Sequence, residues 1–341
     1  MWRVVLPLAD DLGRTLYAGA RVSGCCGGSS GVCLASIFTP GIVFPEGELV
    51  KILRVATCQF SVEPDVEHNC HWVLKQMEQA AREGAQIAHF SECALSGYLG
   101  VDLAGEGQLD WAALRHATER IQETARRLKM WVALGSTHQL SPGVRPHNSV
   151  YVIDSRGRIV GRYDKRYCTG KLGPTPTFDL AHYSPGGHFT TFKIGGVRCG
   201  VLICYDYRFP ELYREYRRLG VEVLLQSFHN ARATVVDDPK YNIWKTIVPA
   251  TMSCRAAENY FWISANNSTT RPSRWASFAV RPDGQVVGRL KLHRSGVLLT
   301  EMQVGPGYFD AAGPWRDTTL KGQLHSGLLV DDPRSRDVTC L

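Results

Sequence analysis

The chain has 341 residues, 44% of them hydrophobic and 21% charged, which suffices to bury a large core as one big domain or two small ones. Its net charge of +7 is scattered, apart from Arg214, Arg217 and Arg218 on one predicted helix, and this argues for a solvated or partner-facing helix side against a nucleic-acid groove. No apolar run is long enough to cross a membrane. Met1-Trp-Arg-Val-Val-Leu-Pro-Leu-Ala, with one positive charge and a short apolar stretch broken by Pro7, makes a poor signal peptide, so a cytoplasmic location is expected.

Residues 1–50 differ from the rest. Positions 19–31 are rich in Gly, Ser and Cys, and no helical or strand period persists, so this part reads as an extension, disordered or packed over the body. From Ile52 the pattern becomes regular. Residues 52–60 read as a strand; Val66, Cys70, Val73, Met77 and Ala80 then recur in steps of four and three, one face of an amphipathic helix. A strand is expected at 86–90. Leu114, Ala117, Ile121, Ala125 and Leu128 mark a second helix before a strand at 131–134. Strand pairs 149–153 with 159–163, and 189–194 with 197–203, flank the turn signals Asp154-Ser-Arg-Gly157 and Gly195-Gly196. A helix at 210–219, a strand at 221–226, a long helix at 241–258 and a strand at 260–264 follow. A hairpin of 277–281 with 286–289 turns at Pro282-Asp-Gly284, and a strand near 297–301 closes the core. From Gly305 onward Gly, Pro and charge dominate, and residues 305–341 read as a tail that extends to a neighbouring subunit. Strand–helix units mixed with hairpins predict an α/β domain over residues 51–304.

Cys204 ends the apolar run Gly200-Val-Leu-Ile-Cys204, and Phe209-Pro210-Glu211 then opens a helix with proline in its first turn. A thiol in such a turn lies near backbone N–H groups whose partial positive charge favours thiolate. Two other strands also end on charge: Ala88-His-Phe-Ser-Glu92 on a carboxylate, and Gly161-Arg-Tyr-Asp-Lys165 on an ammonium. Carboxyl ends of strands are where α/β folds gather their sites.

With Glu92, Lys165 and Cys204 in that order, the chain resembles the nitrilase superfamily, the carbon–nitrogen hydrolases with a Glu-Lys-Cys triad, over roughly residues 51 to 303. The resemblance implies a four-layer α-β-β-α sandwich of the carbon–nitrogen hydrolase type. It implies that Cys204 attacks an amide or N-carbamoyl carbonyl, that Glu92 carries the proton, and that Lys165 with the backbone N–H of Tyr205 holds the negative oxygen. It also implies no cofactor, a small-molecule substrate and a homodimer or larger homo-oligomer. A second glutamate of the family, ahead of a Pro-Gly step, is matched by Asp179 before Pro185-Gly186; one methylene shorter, Asp179 is expected to orient Lys165 less directly, or to be a plain loop residue. Arg208 is expected to pair with Glu211 or Asp206, or else to grip a substrate carboxylate. Tyr98 and Asn230 are pocket candidates, while Asn266 and Asn267 read as turn residues.

Other readings compete. True nitrilases typically carry Cys-Trp-Glu where this chain has Cys204-Tyr205-Asp206. A Cys-His hydrolase would use a histidine such as His229 as base. A catalytically silent member would keep the fold for binding alone. Eleven cysteines include no Cys-x2-Cys pair and no His pair completing a zinc pattern; His182, His188 and Cys199 read as loop or strand residues, and no metal is expected.

Overall fold

The computed structural model describes residues 6–9, 15–18, 50–231 and 243–339. Two compact units divide the chain, Met1–Val43 and Phe44–Leu341. In the first, β1 (Leu6–Ala9) pairs antiparallel with β2 (Thr15–Ala18). The Gly/Ser/Cys-rich stretch 19–31 lies outside the described residues.

The second unit is built from two six-stranded sheets. One has the order β14 (Gly296–Val304), β3 (Lys51–Gln59), β4 (Ile87–Phe90), β5 (Trp131–His138), β6 (His147–Ile153), β7 (Ile159–Asp164). The other runs β13 (Val286–Arg289), β12 (Phe278–Val280), β11 (Trp262–Asn266), β10 (Val223–Ser227), β9 (Val197–Ile203), β8 (Thr191–Ile194). The central strands β3–β4–β5 and β9–β10–β11 are parallel; sequence-neighbouring strands add antiparallel edges, and β14 pairs antiparallel with β3 at the other edge of its sheet.

Alternation along the strands sorts side chains into layers. Leu53, Val55 and Ile87 join Val201, Ile203 and Leu225 between the sheets, whereas Ala56, Cys58, Ala88 and Phe90 face α1 (Val66–Arg82) and α2 (Trp111–Leu128). The expected face of α1, Val66 through Ala80, is buried there. Asp65 caps that helix by accepting from the N–H groups of Glu67 and His68. On the opposite side, α4 (Pro210–Arg218) and α5 (Trp244–Asn259) cover the second sheet with Leu212, Tyr213, Tyr216, Val248 and Met252. The result is the α-β-β-α sandwich, and each fully buried aliphatic or aromatic side chain contributes about 1.5–3 kcal/mol to it.

A polar seam crosses the sandwich. His89 on β4 bridges Ser264 (2.8 Å) and Ser227 (3.0 Å) of the other sheet, and Ser264 also meets Thr57 on β3 at 2.7 Å. Asn266 donates to the carbonyls of Cys58 and His89, and Asn267 donates to the Trp275 carbonyl. Both asparagines are fully buried. Asn266, the last residue of β11, is therefore a cross-sheet tie and not a turn residue, while Asn267 follows the strand and ties the loop that leads to β12.

The segment after residue 304 is partly docked. In α6 (Gly313–Leu320), Arg316 binds Asp310 and the Glu258 carbonyl and lies over the Tyr260 ring, while Arg218 of α4 donates to the Leu320 carbonyl. Beyond it, on either side of the short α7 (Pro333–Arg336), Leu328 and Val338 are more than nine-tenths exposed.

Candidate active site

Glu92, Lys165 and Cys204 follow β4, β7 and β9, whose carboxyl ends lie on the same side of the two packed sheets. The structure brings the three side chains together. Glu92 is completely buried: Oε1 accepts from Lys165 Nζ and from Asn148 Nδ2, both at 2.8 Å, and Oε2 accepts from the backbone N–H of His229 at 2.9 Å. Its negative charge also acts on the Cys204 thiol, whose pKa it helps to raise.

Cys204 opens a 3-10 turn (Cys204–Arg208) with φ +39, a left-handed conformation rare for a residue with a Cβ. Asp206 fixes this elbow. Its Oδ2 accepts from the Ile203 N–H (3.1 Å) and the Tyr163 hydroxyl (2.8 Å), and its Oδ1 from the Tyr167 N–H (2.9 Å). Tyr163 and Tyr167 flank Lys165, so one carboxylate ties the lysine strand to the cysteine turn. Burial raises the Asp206 pKa to about 6, against the lowering pull of those donors.

The expected preference for thiolate does not prevail. Burial, reinforced by the Glu92 carboxylate, pushes the Cys204 thiol well above its ordinary value, and the Lys165 ammonium only partly opposes them. The resting sulfur is a thiol beside a base. Burial by itself would lower Lys165, yet Asp179 and Glu92 outweigh it and hold the amine well above its usual value, hence charged.

Asp179 meets Lys165 Nζ directly at 2.8 Å, so the shorter side chain does not make the contact indirect. It sits at the start of the single turn α3 (Asp179–His182), after Phe178 with φ +51, and accepts further bonds from the Tyr98 hydroxyl (2.6 Å) and the Thr169 N–H (3.0 Å). Burial opposes ionisation of Asp179, but Lys165 and these donors keep its carboxyl below the usual range. Tyr98 also accepts from Lys165 at 3.0 Å. All three N–H bonds of the ammonium are thus directed at Glu92, Tyr98 and Asp179.

Two glycines allow this convergence. A Cβ on Gly135 of β5 would stand 1.9 Å from the Ser91 carbonyl oxygen, pressing on the turn that carries Glu92. One on Gly186, in the Pro185-Gly186 step, would lie 2.4 Å from the Asp164 carbonyl, and the Gly186 N–H donates to the Lys165 carbonyl.

The remaining sequence candidates are placed as follows. Tyr205 lies in the first turn of the 3-10 segment, where leading N–H groups have no partner within the helix, and its ring meets Phe209 edge-on. Arg208 lies over the rings of Tyr207 (4.9 Å) and Trp244 (4.6 Å). Among the described residues it forms no ion pair with Glu211 or Asp206, because the Asp206 oxygens already serve three other donors. Asn230 donates its N–H to Asn267 and accepts from the Arg274 N–H, which locks a loop. His229 Nε2 lies 3.1 Å from Asp102, and neither ring nitrogen makes a hydrogen bond among the described residues. Among the described residues no cluster of three or more His, Cys, Asp or Glu is arranged to hold a metal ion.

Asn148 and Asp102 were missed by sequence reasoning. The signal for Asn148 was a polar pair, Asn148-Ser149, at the start of an apolar strand; both are fully buried.

Residues 54–306 match the family model for carbon-nitrogen hydrolases, and the chain belongs to that family. Its fold is that of an amidase from Nesterenkonia sp., with a TM-score of 0.63 at 22% identity over 74% of this chain and 90% of the other. By sequence it is similar to deaminated glutathione amidase of Mus musculus, 27% identical over 69% of this chain and 73% of that protein. It is also similar to nitrilase homolog 2 of Dictyostelium discoideum, 23% identical over 65% of each, so it spans just under two thirds of that relative. In the described residues no helix is long and apolar enough to cross a membrane.

Proposed function

We propose that this chain hydrolyses the carbon–nitrogen bond of a small linear amide or N-carbamoyl compound, with Glu92, Lys165 and Cys204 as its catalytic residues. The observation that carries this reading is the buried carboxylate of Glu92, held 2.8 Å from the Lys165 ammonium and acting electrostatically on the Cys204 thiol.

Glu92 takes the thiol proton as Sγ attacks the carbonyl carbon. The electron pair moves onto the oxygen, which receives the N–H of Tyr205 and lies in the field of Lys165. Because the lysine protons already face protein oxygens, Lys165 acts through its charge, and Asp179 and Tyr98 keep it in place. Glu92 returns the proton to the leaving nitrogen, the C–N bond breaks, and ammonia or an amine departs from a thioester. Water then attacks that thioester with Glu92 again as base, releasing the acid and restoring the thiol.

Deaminated glutathione, the substrate that the mouse relative's name carries, belongs in a first panel with aliphatic amides, ω-amides of dicarboxylates, carbamoyl-amines and nitriles. Release of ammonia or amine is the readout. Cys204→Ala should abolish turnover with the fold intact, and a fully active C204A protein would refute the reading. Buried free thiols at Cys58, Cys70, Cys93 and Cys199 support a reducing compartment such as the cytoplasm. We propose assembly as a homodimer or larger homo-oligomer on the strength of the family alone.

A further inference from the structure

Beside the three catalytic side chains lies a second buried acid–base pair to which the reaction above gives no step. His229 Nε2 stands 3.1 Å from Asp102 Oδ2, and both side chains are completely buried. The same Asp102 oxygen accepts the backbone N–H of Tyr98 at 2.9 Å. The Tyr98 and His229 rings stack with centroids 5.4 Å apart and planes within 19°. The backbone N–H of His229 holds Glu92 Oε2, and the Tyr98 hydroxyl receives a proton of Lys165.

The imidazole approaches Asp102 closely but without hydrogen-bond alignment, and with that contact the set closes a loop. From Glu92 it passes to the His229 backbone, through the imidazole to Asp102, on to the Tyr98 backbone and hydroxyl, then to Lys165 and back to Glu92. Only the Lys165–Glu92 contact within it joins two members of the triad. Backbone bonds, Glu92 N–H to the Phe228 carbonyl among them, already join the turn after β10 to the turn after β4; the imidazole adds a side-chain link between the parts that hold Glu92 and Lys165. The stacking fixes the ring planes; the Asp102 contact fixes their height.

We propose that His229, paired with Asp102, is a positioning residue: it fixes the Glu92 oxygen that takes the thiol proton and the Tyr98 hydroxyl that steadies Lys165. The inference rests on the catalytic reading given above. It differs from a Cys-His scheme in that the imidazole takes no proton from the sulfur.

Acrylamide, a small amide electrophile, serves as a probe that needs no knowledge of the substrate. Its adduct on Cys204 is read by intact mass against time and concentration, which separates the maximal rate of modification from the half-saturating concentration. Wild type should form the adduct, and Glu92→Gln should slow it. Failure of that control would undo the catalytic reading itself. With the control met, His229→Phe keeps the stacked ring and the backbone N–H but loses the Asp102 contact. It should lower the maximal rate about tenfold or more, with the half-saturating concentration unchanged. His229→Gln, which returns an N–H donor near the Nε2 position, should recover most of the rate. Should His229→Phe not fold, Asp102→Asn, which keeps an oxygen for the Tyr98 N–H, takes its place with the same expected loss. Equal rates in wild type and a folded His229→Phe, or no recovery by His229→Gln, would overturn the proposal.

Discussion

Asp179 and Glu92 approach Lys165 Nζ from two elements at the same distance, 2.8 Å, and leave one ammonium between two buried carboxylates. The arrangement is charge-unbalanced by design of the chain, and it explains why the lysine stays protonated despite burial. It also makes Asp179 more than a loop residue.

Asp179→Asn should therefore keep the shape of the site while removing one negative charge from Lys165. The ammonium would be drawn toward Glu92, competing with the thiol for that carboxylate. A loss of about 100-fold in turnover with little change in melting temperature is expected. Asp179→Ala, which leaves a buried hydrogen-bonding group unmatched, should in addition cost about 3–5 kcal/mol of stability in denaturant unfolding.

The protonated resting state of Cys204 predicts how the sulfur titrates. Because burial and Glu92 raise its pKa well above the ordinary thiol value, alkylation by iodoacetamide should keep accelerating beyond pH 9 without a plateau. A plateau reached near pH 7, measured by adduct mass on Cys204, would show a resting thiolate and contradict this account.

Gly135 is a steric requirement of the Glu92 turn. Gly135→Ala places a methyl 1.9 Å from the Ser91 oxygen and 2.8 Å from the Cys93 nitrogen, both backbone atoms. The variant should lose at least about 2 kcal/mol of stability by thermal or denaturant unfolding, and its activity should fall with the displaced carboxylate.

Burial lowers the pKa of His89 from 6.5 to about 3, so the ring in the seam is neutral when folded. The unfolded chain takes up a proton below pH 6.5 that the folded chain refuses, and stability is lost as pH falls from there toward 3. Relative to His89→Gln, which cannot charge, the wild type should lose about 3 kcal/mol between pH 7 and pH 4. Asp206, raised to about 6, works in the opposite sense across part of that range, since its folded form gains a proton first. The difference between the two proteins isolates the histidine, and parallel pH–stability curves would contradict the assignment.

Much of this architecture was legible from residue order. The 3–4 spacing of Val66 to Ala80 and of Leu114 to Ala125 named the buried faces of α1 and α2. Glu92, Lys165 and Cys204 stood out because each breaks an apolar strand at its carboxyl end, where layered folds converge. What escaped was long-range polar pairing. Asn266 meets a carbonyl 208 residues away, and no local period encodes such a partner. For the same reason the approach of the His229 ring to Asp102 could not be foreseen, and Arg208 was given ionic partners when it rests on two aromatic rings. The thiol's charge state was misjudged because dipoles near a turn can be read from sequence, while depth of burial cannot.

The two layers each donate part of the machinery: carboxylate and ammonium come from one sheet, sulfur from the other. A ligand covalently attached to Cys204 and leaning on the Glu92–Lys165 pair is consequently a clamp across the sandwich. Occupancy and cohesion become the same quantity, and a half-formed molecule with only one sheet in place would own fragments of the chemistry and be able to carry out none of it.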